Sequence, residues 1–317
     1  MKVTEHLQNA TSTLFSFEIL PPVKGKSIQS IYEGIDPLME FNPPFINVTY
    51  HREEYVFKER GNGLLEKITI RKRPGTVGIC SAIMNKYKVD TVPHIICGGF
   101  SKEDTENALM DLNFLGIDNV LLLRGDAVKT EAHFRPHTDG HAHASDLIQQ
   151  VVQLNHGVYL DEEMESPTPT DFCIGVAGYP EKHVEAPNLA TDLKYLKQKV
   201  DLGAQYIITQ MFFDNKKFCD FVTACRAVGI TVPIIPGLKP LTTRNQLTVL
   251  PRFFNIDLPE DLVNAVDACK TPQAVKQVGI EWTIQQCKEL INFGVPCLHF
   301  YTMSKSEATA AVARGVF

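Results

Sequence analysis

Eight short apolar runs recur along the chain, each separated from the next by a stretch with helical spacing, and that alternation leaves few folds open. The runs are LFSFEIL (14–20), FINVTY (45–50), TVPHIIC (91–97), NVLLLRG (119–125), FCIGVAGY (172–179), QYIITQMFF (205–213), VPIIPGL (232–238) and CLHFYTM (297–303). Rich in Val, Ile, Leu and Phe, they read as buried strands. Between them, Ser101 and Asp104 resemble a capping box, with Ala108, Leu109, Leu112 and Leu115 at helical intervals and Gly116 as a stop. Leu189, Leu193, Leu196 and Val200 repeat the pattern before Gly203, and 27–40, 76–87, 145–154, 215–228, 258–268 and 280–293 are further helical candidates. Helical crossovers return the chain to the same end of the sheet, so the strands should pair in parallel. Eight units predict a closed (β/α)₈ TIM barrel rather than an open doubly wound sheet. No GxGxxG follows the first strand, which weakens a dinucleotide fold of the open type. With neither repeat nor linker, residues 1–317 read as one domain.

Composition narrows the partners. Hydrophobic residues make up 44% and charged ones 21%, enough for a large core, and a net charge of −6 gives no support to nucleic acid or an anionic membrane. The eight cysteines include no CxxC and several lie in apolar runs, as reduced thiols would. MKVTEHLQNATST lacks a signal-peptide core, and no apolar run approaches membrane-span length, so a cytoplasmic location is expected. The sequence is compatible with a homo-oligomer.

The polar residues fall where the apolar runs end. Glu18, Thr49, His94, Asp126, Gln210 and Tyr301 each sit at or near the C-terminal end of a predicted strand, the rim where barrel enzymes place their chemistry. Glu18, between Phe17 and Ile19, should be desolvated and so hold a proton near neutrality; a structural partnership with a basic group is the alternative. In NVLLLRGD, Arg124 offers a forked cation, Gly125 close backbone approach and Asp126 a charge, although an Arg–Asp pair at a turn would look the same. In AGYPEKH, Tyr179 at a strand end could stack on a flat ligand or merely cover the barrel end, with Pro180 as a stop and His183 in the following loop. Asp192 and Lys199, seven apart on one helix, are either a solvated pair or contacts for ribose and phosphate. His133, His137, His141 and His143 tempt a metal assignment, but Pro136 and Gly140 interrupt any helix that would align them; a mobile polar loop is expected, with no metal. Three long connections, 51–75, 126–144 and 156–170, exceed what a minimal barrel needs, and the first two follow strand ends.

FSFEILPP, FINVTY, PHIIC, LLLRGD, AGYPEKH, DLKYLKQKVDLGAQYIITQMFFD, IIPGLKPL and HFYT occur here in the order and spacing of one family. Along nearly its full length the chain resembles the methylenetetrahydrofolate reductases of the short bacterial type. The resemblance implies an FAD-bearing eight-fold barrel that uses NADH or NADPH to reduce 5,10-methylenetetrahydrofolate to 5-methyltetrahydrofolate. It implies Glu18 as the proton donor and Asp126 as a carboxylate near both flavin and folate. It places Thr49, Tyr50, His94, Arg124, Gly125, Asp126, Ala144, Tyr179, His183, Ala186, Asp192 and Lys199 around FAD, Thr49 also facing the nicotinamide. Asp126, Gln210, Gln246 and Lys305 fall on folate contacts. Two positions depart from the family pattern. Lys305 stands where Arg is frequent, losing a bidentate fork for the glutamate tail, and Leu250 stands where some members place a Phe over the flavin pocket. The 51–75 insertion matches nothing in the pattern, and no regulatory domain is expected after the eighth unit.

Two other readings compete. A Schiff-base aldolase needs a lysine inside the barrel, and none of the eight segments contains one. A flavin- or folate-binding subunit of a larger redox complex would have no need of both Glu18 and Asp126.

Overall fold

The computed structural model describes residues 1–61, 63–128, 131–303 and 305–317. Its strands are β1 (Leu14–Ile19), β2 (Phe45–Val48), β3 (Glu54–Glu59), β4 (Leu65–Ile70), β5 (Asp90–Ile96), β6 (Asn119–Leu123), β7 (Cys173–Gly178), β8 (Tyr206–Met211), β9 (Ile234–Leu238) and β10 (Cys297–Tyr301). Eight of these close into a barrel in the order β1-β10-β9-β8-β7-β6-β5-β2, and all eight pairings are parallel. The (β/α)₈ expectation is met, and each of the eight apolar runs supplies one barrel strand. Glu18 is in register with Asn47 on one side and Tyr301 on the other. That registration carries the strand ends of β1, β2 and β10 to one rim.

The helices are α1 (Val3–Asn9), α2 (Gln29–Ile35), α3 (Thr76–Tyr87), α4 (Lys102–Phe114), α5 (Ala144–Asn155), α6 (Leu189–Asp201), α7 (Asn215–Ala227), α8 (Gln246–Phe254), α9 (Glu260–Ala268), α10 (Pro272–Phe293) and α11 (Glu307–Arg314), with a 3₁₀ turn at Asp36–Phe41. At the start of α4, Ser101 and Asp104 cap each other reciprocally as the sequence predicts. In α6, Leu193 and Leu196 are buried while Leu189 stays exposed, because it opens the helix beyond the contact.

Alternation along the strands divides two cores. Phe15, Phe17 and Ile19 of β1 face outward to the helix layer with Ile31, Ile35 and Leu38. Inside the lower barrel, Phe45, Val92, Leu121, Cys173, Tyr206, Ile208, Ile235 and Cys297 close on Val3 and Leu7 of α1. That helix plugs the N-terminal end of the barrel: the Val3 N–H donates to Asn119 Oδ1 at 2.8 Å, and His6 meets Asp90 at 2.7 Å. Gly175 is small because Tyr206 needs the room; a Cβ there would lie 2.3 Å from the ring.

The charged 51–75 stretch is not plain loop. Its middle forms the antiparallel hairpin β3–β4, with Glu54 opposite Ile70 and Glu59 opposite Leu65, standing apart from the barrel sheet. The histidine-rich stretch is irregular, with His133, His137 and His143 exposed, and is anchored at His141. His141 is buried and bonds Gln150 of α5 at 2.6 Å, whose amide in turn donates to the Lys102 carbonyl, tying the loop to two helices.

Candidate active site

Above the apolar floor the interior turns polar. Ser16 Oγ meets His299 Nδ1 at 2.9 Å, and Asn47 Nδ2 meets His94 Nε2 at 3.3 Å. His94 and His299 are buried, and burial pulls each ring down to about 3, so both are neutral. Asn47 donates to His94 Nε2, so that nitrogen is the acceptor and the proton of the neutral ring belongs on Nδ1. His299 Nε2, Asn47 Oδ1 and Thr49 Oγ1 are buried without a partner within the chain. Such atoms each cost about 1–3 kcal/mol when left unsatisfied, and they cluster where the mouth would receive a ligand.

Glu18 caps this column. Its side chain is 12% exposed and lies 3.9 Å from His94 Nε2. Burial lifts its carboxyl from 4.5 to about 8, against a smaller opposing pull from Lys239. At neutral pH the group is therefore mostly a neutral acid, able to give up a proton. The backbone holds it rigidly, since Thr302 Oγ1 donates to the Glu18 carbonyl at 2.7 Å.

Asp126 lies on the same rim, exposed just beyond β6. Its charge favours protonation of His51, and His51 in turn opposes protonation of His94, so a chain of close neighbours runs from Asp126 to the Glu18 pocket. Gly125 has φ +84°, which lets the chain turn tightly against Ile96 between Arg124 and Asp126.

The β5–β7 side carries the flat, cationic part. Arg124 makes a forked pair with Glu185 at 2.5 and 2.8 Å, and its guanidinium lies 4.9 Å from the centre of the Phe134 ring. Tyr179 and His183 meet edge-on at 4.8 Å. Asp192 and Lys199 are not the solvated pair that helical spacing alone allows: Asp192 accepts the His183 N–H at 2.8 Å, and Lys199 Nζ donates to the Ala177 carbonyl at 2.7 Å. Burial lowers Lys199 to about 8. Ala186 is buried, with its carbonyl taken by Lys182 at 2.8 Å, and Ala144 begins α5. Tyr50 packs on Phe100 at 5.0 Å.

The folate-side residues are less uniformly gathered. Gln210 ends β8 on the rim, its side-chain oxygen accepting the Met211 N–H at 2.9 Å. Gln246 opens α8 and folds its oxygen back onto the Thr242 and Thr243 N–H groups at 2.7 and 2.9 Å. Lys305 is exposed, near enough to Lys239 to oppose its protonation. Leu250 is buried in α8 in a cluster with Met211 and Tyr301.

Several groups at the site escape a reading by sequence: Asn47, His51, Lys239, His299 and Thr302. Asn47, His299 and Lys239 lie within recognisable motifs, FINVTY, HFYT and IIPGLKPL, yet their roles depend on which strand faces which across the closed barrel. Among the described residues, no three His, Cys, Asp or Glu side chains are grouped as a metal site. No described helix is long and apolar enough to cross a membrane.

Parallel closure and a polar C-terminal rim over an apolar floor define a barrel of the enzyme type. The chain belongs to the methylenetetrahydrofolate reductase family, whose model matches residues 2–316. It is 32% identical over 98% of its length to "Methylenetetrahydrofolate reductase (NADH) 1" of Arabidopsis thaliana, and spans 50% of that protein. It is 30% identical over 94% of its length to the 5,10-methylenetetrahydrofolate reductase of Pectobacterium carotovorum, covering 88% of it. The chain thus spans about half the length of the plant relative it matches. Its fold is similar to that of an uncharacterized protein from Clostridium thermocellum described as binding two copies of 5-methyl-5,6,7,8-tetrahydrofolic acid, with TM-score 0.61 and 16% identity across 98% of this chain and 96% of that one.

Proposed function

We propose that the protein is a flavin-dependent methylenetetrahydrofolate reductase that converts 5,10-methylenetetrahydrofolate to 5-methyltetrahydrofolate with NADH or NADPH as donor. The observation that carries the reading is Glu18, a carboxyl held as a neutral acid at the barrel mouth with its pKa at about 8. Family membership supplies the substrate class.

The residues present fit FAD. Thr49 Oγ1 is buried and unpartnered, Gly125 leaves the backbone approachable, and the Tyr179–His183 pair offers aromatic surface. Thr49, Tyr50, His94, Arg124, Gly125, Asp126, Ala144, Tyr179, His183, Ala186, Asp192 and Lys199 would hold it. When bound, FAD supplies hydride relay from nicotinamide to folate in two separate half-reactions. Glu18 protonates a nitrogen of the substrate's five-membered ring, and the ring opens to an iminium. Asp126 places a fixed negative charge near that cation and stabilises it. Gln210, Gln246 and Lys305 orient the folate, with Lys305 meeting its carboxylate as a point charge rather than a fork. A single barrel domain over residues 1–317, working in the cytoplasm, completes the reading.

Anaerobic mixing of the purified protein with each nicotinamide, followed by methylenetetrahydrofolate, is the direct test. The flavin should bleach with the nicotinamide and recover its colour with the folate. A flavin that stays oxidised until another protein is added would instead favour a subunit of a larger redox complex.

A further inference from the structure

The hairpin β3–β4 has no part in the reaction above, yet its return limb reaches the mouth. Beyond β4 the chain continues through Arg71, Lys72 and Arg73 and is tied to the loop that follows Glu18. Arg73 Nη1 donates to the Pro21 carbonyl, and the Lys24 N–H donates to the Lys72 carbonyl at 2.7 Å. Arg73 is half-buried and close enough to His51, the neighbour of Asp126, to oppose protonation of that ring. Arg71 lies near Tyr50 and occupies space left by Gly75, where a Cβ would stand 2.5 Å from its guanidinium. The limb therefore lays two forked cations between the Glu18 loop and the Tyr50–His51 segment.

Arg52, Arg60, Arg124, Arg244 and Arg314 each meet a carboxylate, respectively Glu131, Glu66, Glu185, Asp267 and Glu40. Among the described residues, Arg71, Arg73, Arg135, Arg226 and Arg252 form no ion pair, and of these Arg73 is the one bonded to the loop that follows Glu18. Glu54 across the hairpin is taken by Lys72. Arg73 is partly desolvated with no anion beside it, while Arg71 stays exposed next to it, and a ligand that brings oxygens to the two forks relieves the first and is reached by the second.

We propose that Arg71 and Arg73 form an oxyanion-binding wall of the mouth, serving a diffusible reactant through a diphosphate or carboxylate group. Which reactant it serves rests on the reductase reading, where the nicotinamide donor carries a diphosphate and the folate carries glutamate carboxylates.

Inorganic pyrophosphate, titrated into the purified protein by calorimetry, tests the wall without turnover. Wild type should bind it, and Arg71→Ala/Arg73→Ala should bind at least about tenfold more weakly. Equal affinity, or no binding by wild type, overturns the proposal. Arg73→Lys keeps a charge and a donor for Pro21, so an intermediate affinity there separates lost recognition from a misfolded hairpin. This arm needs no flavin, folate or nicotinamide, so its failure is distinct from that of the reductase reading, which a protein unable to take up flavin would end. Half-reactions of the double variant then identify the reactant. A rise in the KM for NADH or NADPH that exceeds the fall in kcat assigns the diphosphate; the same pattern for methylenetetrahydrofolate assigns the carboxylates. If neither KM moves, the wall does not serve a reactant and the proposal fails.

Discussion

At the floor of the barrel, Phe45, Val92, Leu121 and Cys173 close on Val3 and Leu7 of α1; at the mouth, the same or neighbouring strands carry Asn47, His94 and Glu18. One residue along β2, Ile46, separates Phe45 from Asn47, and one along β5, Pro93, separates Val92 from His94. The inward face of each strand thus switches from apolar to polar within one repeat of its side-chain alternation. Below the switch, each fully buried large apolar side chain contributes roughly 1.5–3 kcal/mol, against the cost of the unpartnered Tyr206 hydroxyl. Above it, Asn47 Oδ1, Thr49 Oγ1 and His299 Nε2 remain unsatisfied and Glu18 is desolvated, all of which oppose folding. One end of the barrel thus stabilises what the other end destabilises.

If that division holds, substitutions at the two ends should fail in opposite ways. Glu18→Gln should lower folate reduction on the order of 10²- to 10⁴-fold while flavin uptake and nicotinamide oxidation persist, as read by single-turnover kinetics. Near wild-type folate reduction would remove Glu18 as the acid. Leu7→Ala should lower unfolding free energy by about 2–4 kcal/mol in urea titrations and leave kcat close to wild type. A loss of activity in the folded variant would show that the floor does more than stabilise. Asp126→Asn should keep the fold and slow folate reduction on the order of tenfold or more; stopped-flow traces matching wild type would exclude it from the chemistry.

The smallest effect is a pH slope. Folded Glu18 titrates at about 8 against an ordinary 4.5, so between those values the folded state holds the extra proton and stability falls as pH rises. Glu18→Gln should remove that decline and gain on wild type at pH 8. His94 and His299 titrate at about 3 against an ordinary 6.5, so there the unfolded state binds more protons and stability falls as pH drops through that range. Denaturant titrations from pH 3 to pH 9 on wild type, Glu18→Gln and His299→Gln would show both limbs. Identical slopes for all three would mean that the mouth is not desolvated.

The floor was more legible from sequence than the mouth. Continuous apolar runs such as NVLLL and YIIT mark barrel strands by themselves, since only burial on both faces suits them. Glu18 was legible for the complementary reason, as a lone carboxyl in an apolar run. The short α1 and α11 and the Pro-containing α8 lack the length that periodicity needs, and the hairpin hid within a charged run that reads as solvated loop. Asn47, His51 and His299 gain their meaning only when β2, β5 and β10 are brought round the ring. Arg73 needs the hairpin's return limb folded against Pro21 before it belongs to the site at all.

Tyr301 joins the rim in a further way. Its hydroxyl donates to the Thr209 carbonyl at 2.5 Å, passing over Gly237, where a Cβ would sit 2.1 Å from that carbonyl and 2.7 Å from the hydroxyl. The brace couples β8, β9 and β10 into a single stiff arc, whereas the opposite arc ends in long connections and a hairpin that pairs with no barrel strand and is held to the rim by its return limb. Any closing movement over a reactant should therefore hinge on the hairpin side. Efforts to widen the range of accepted reactants have more room there than on the braced arc, where one added methyl at Gly237 would have to break the strut.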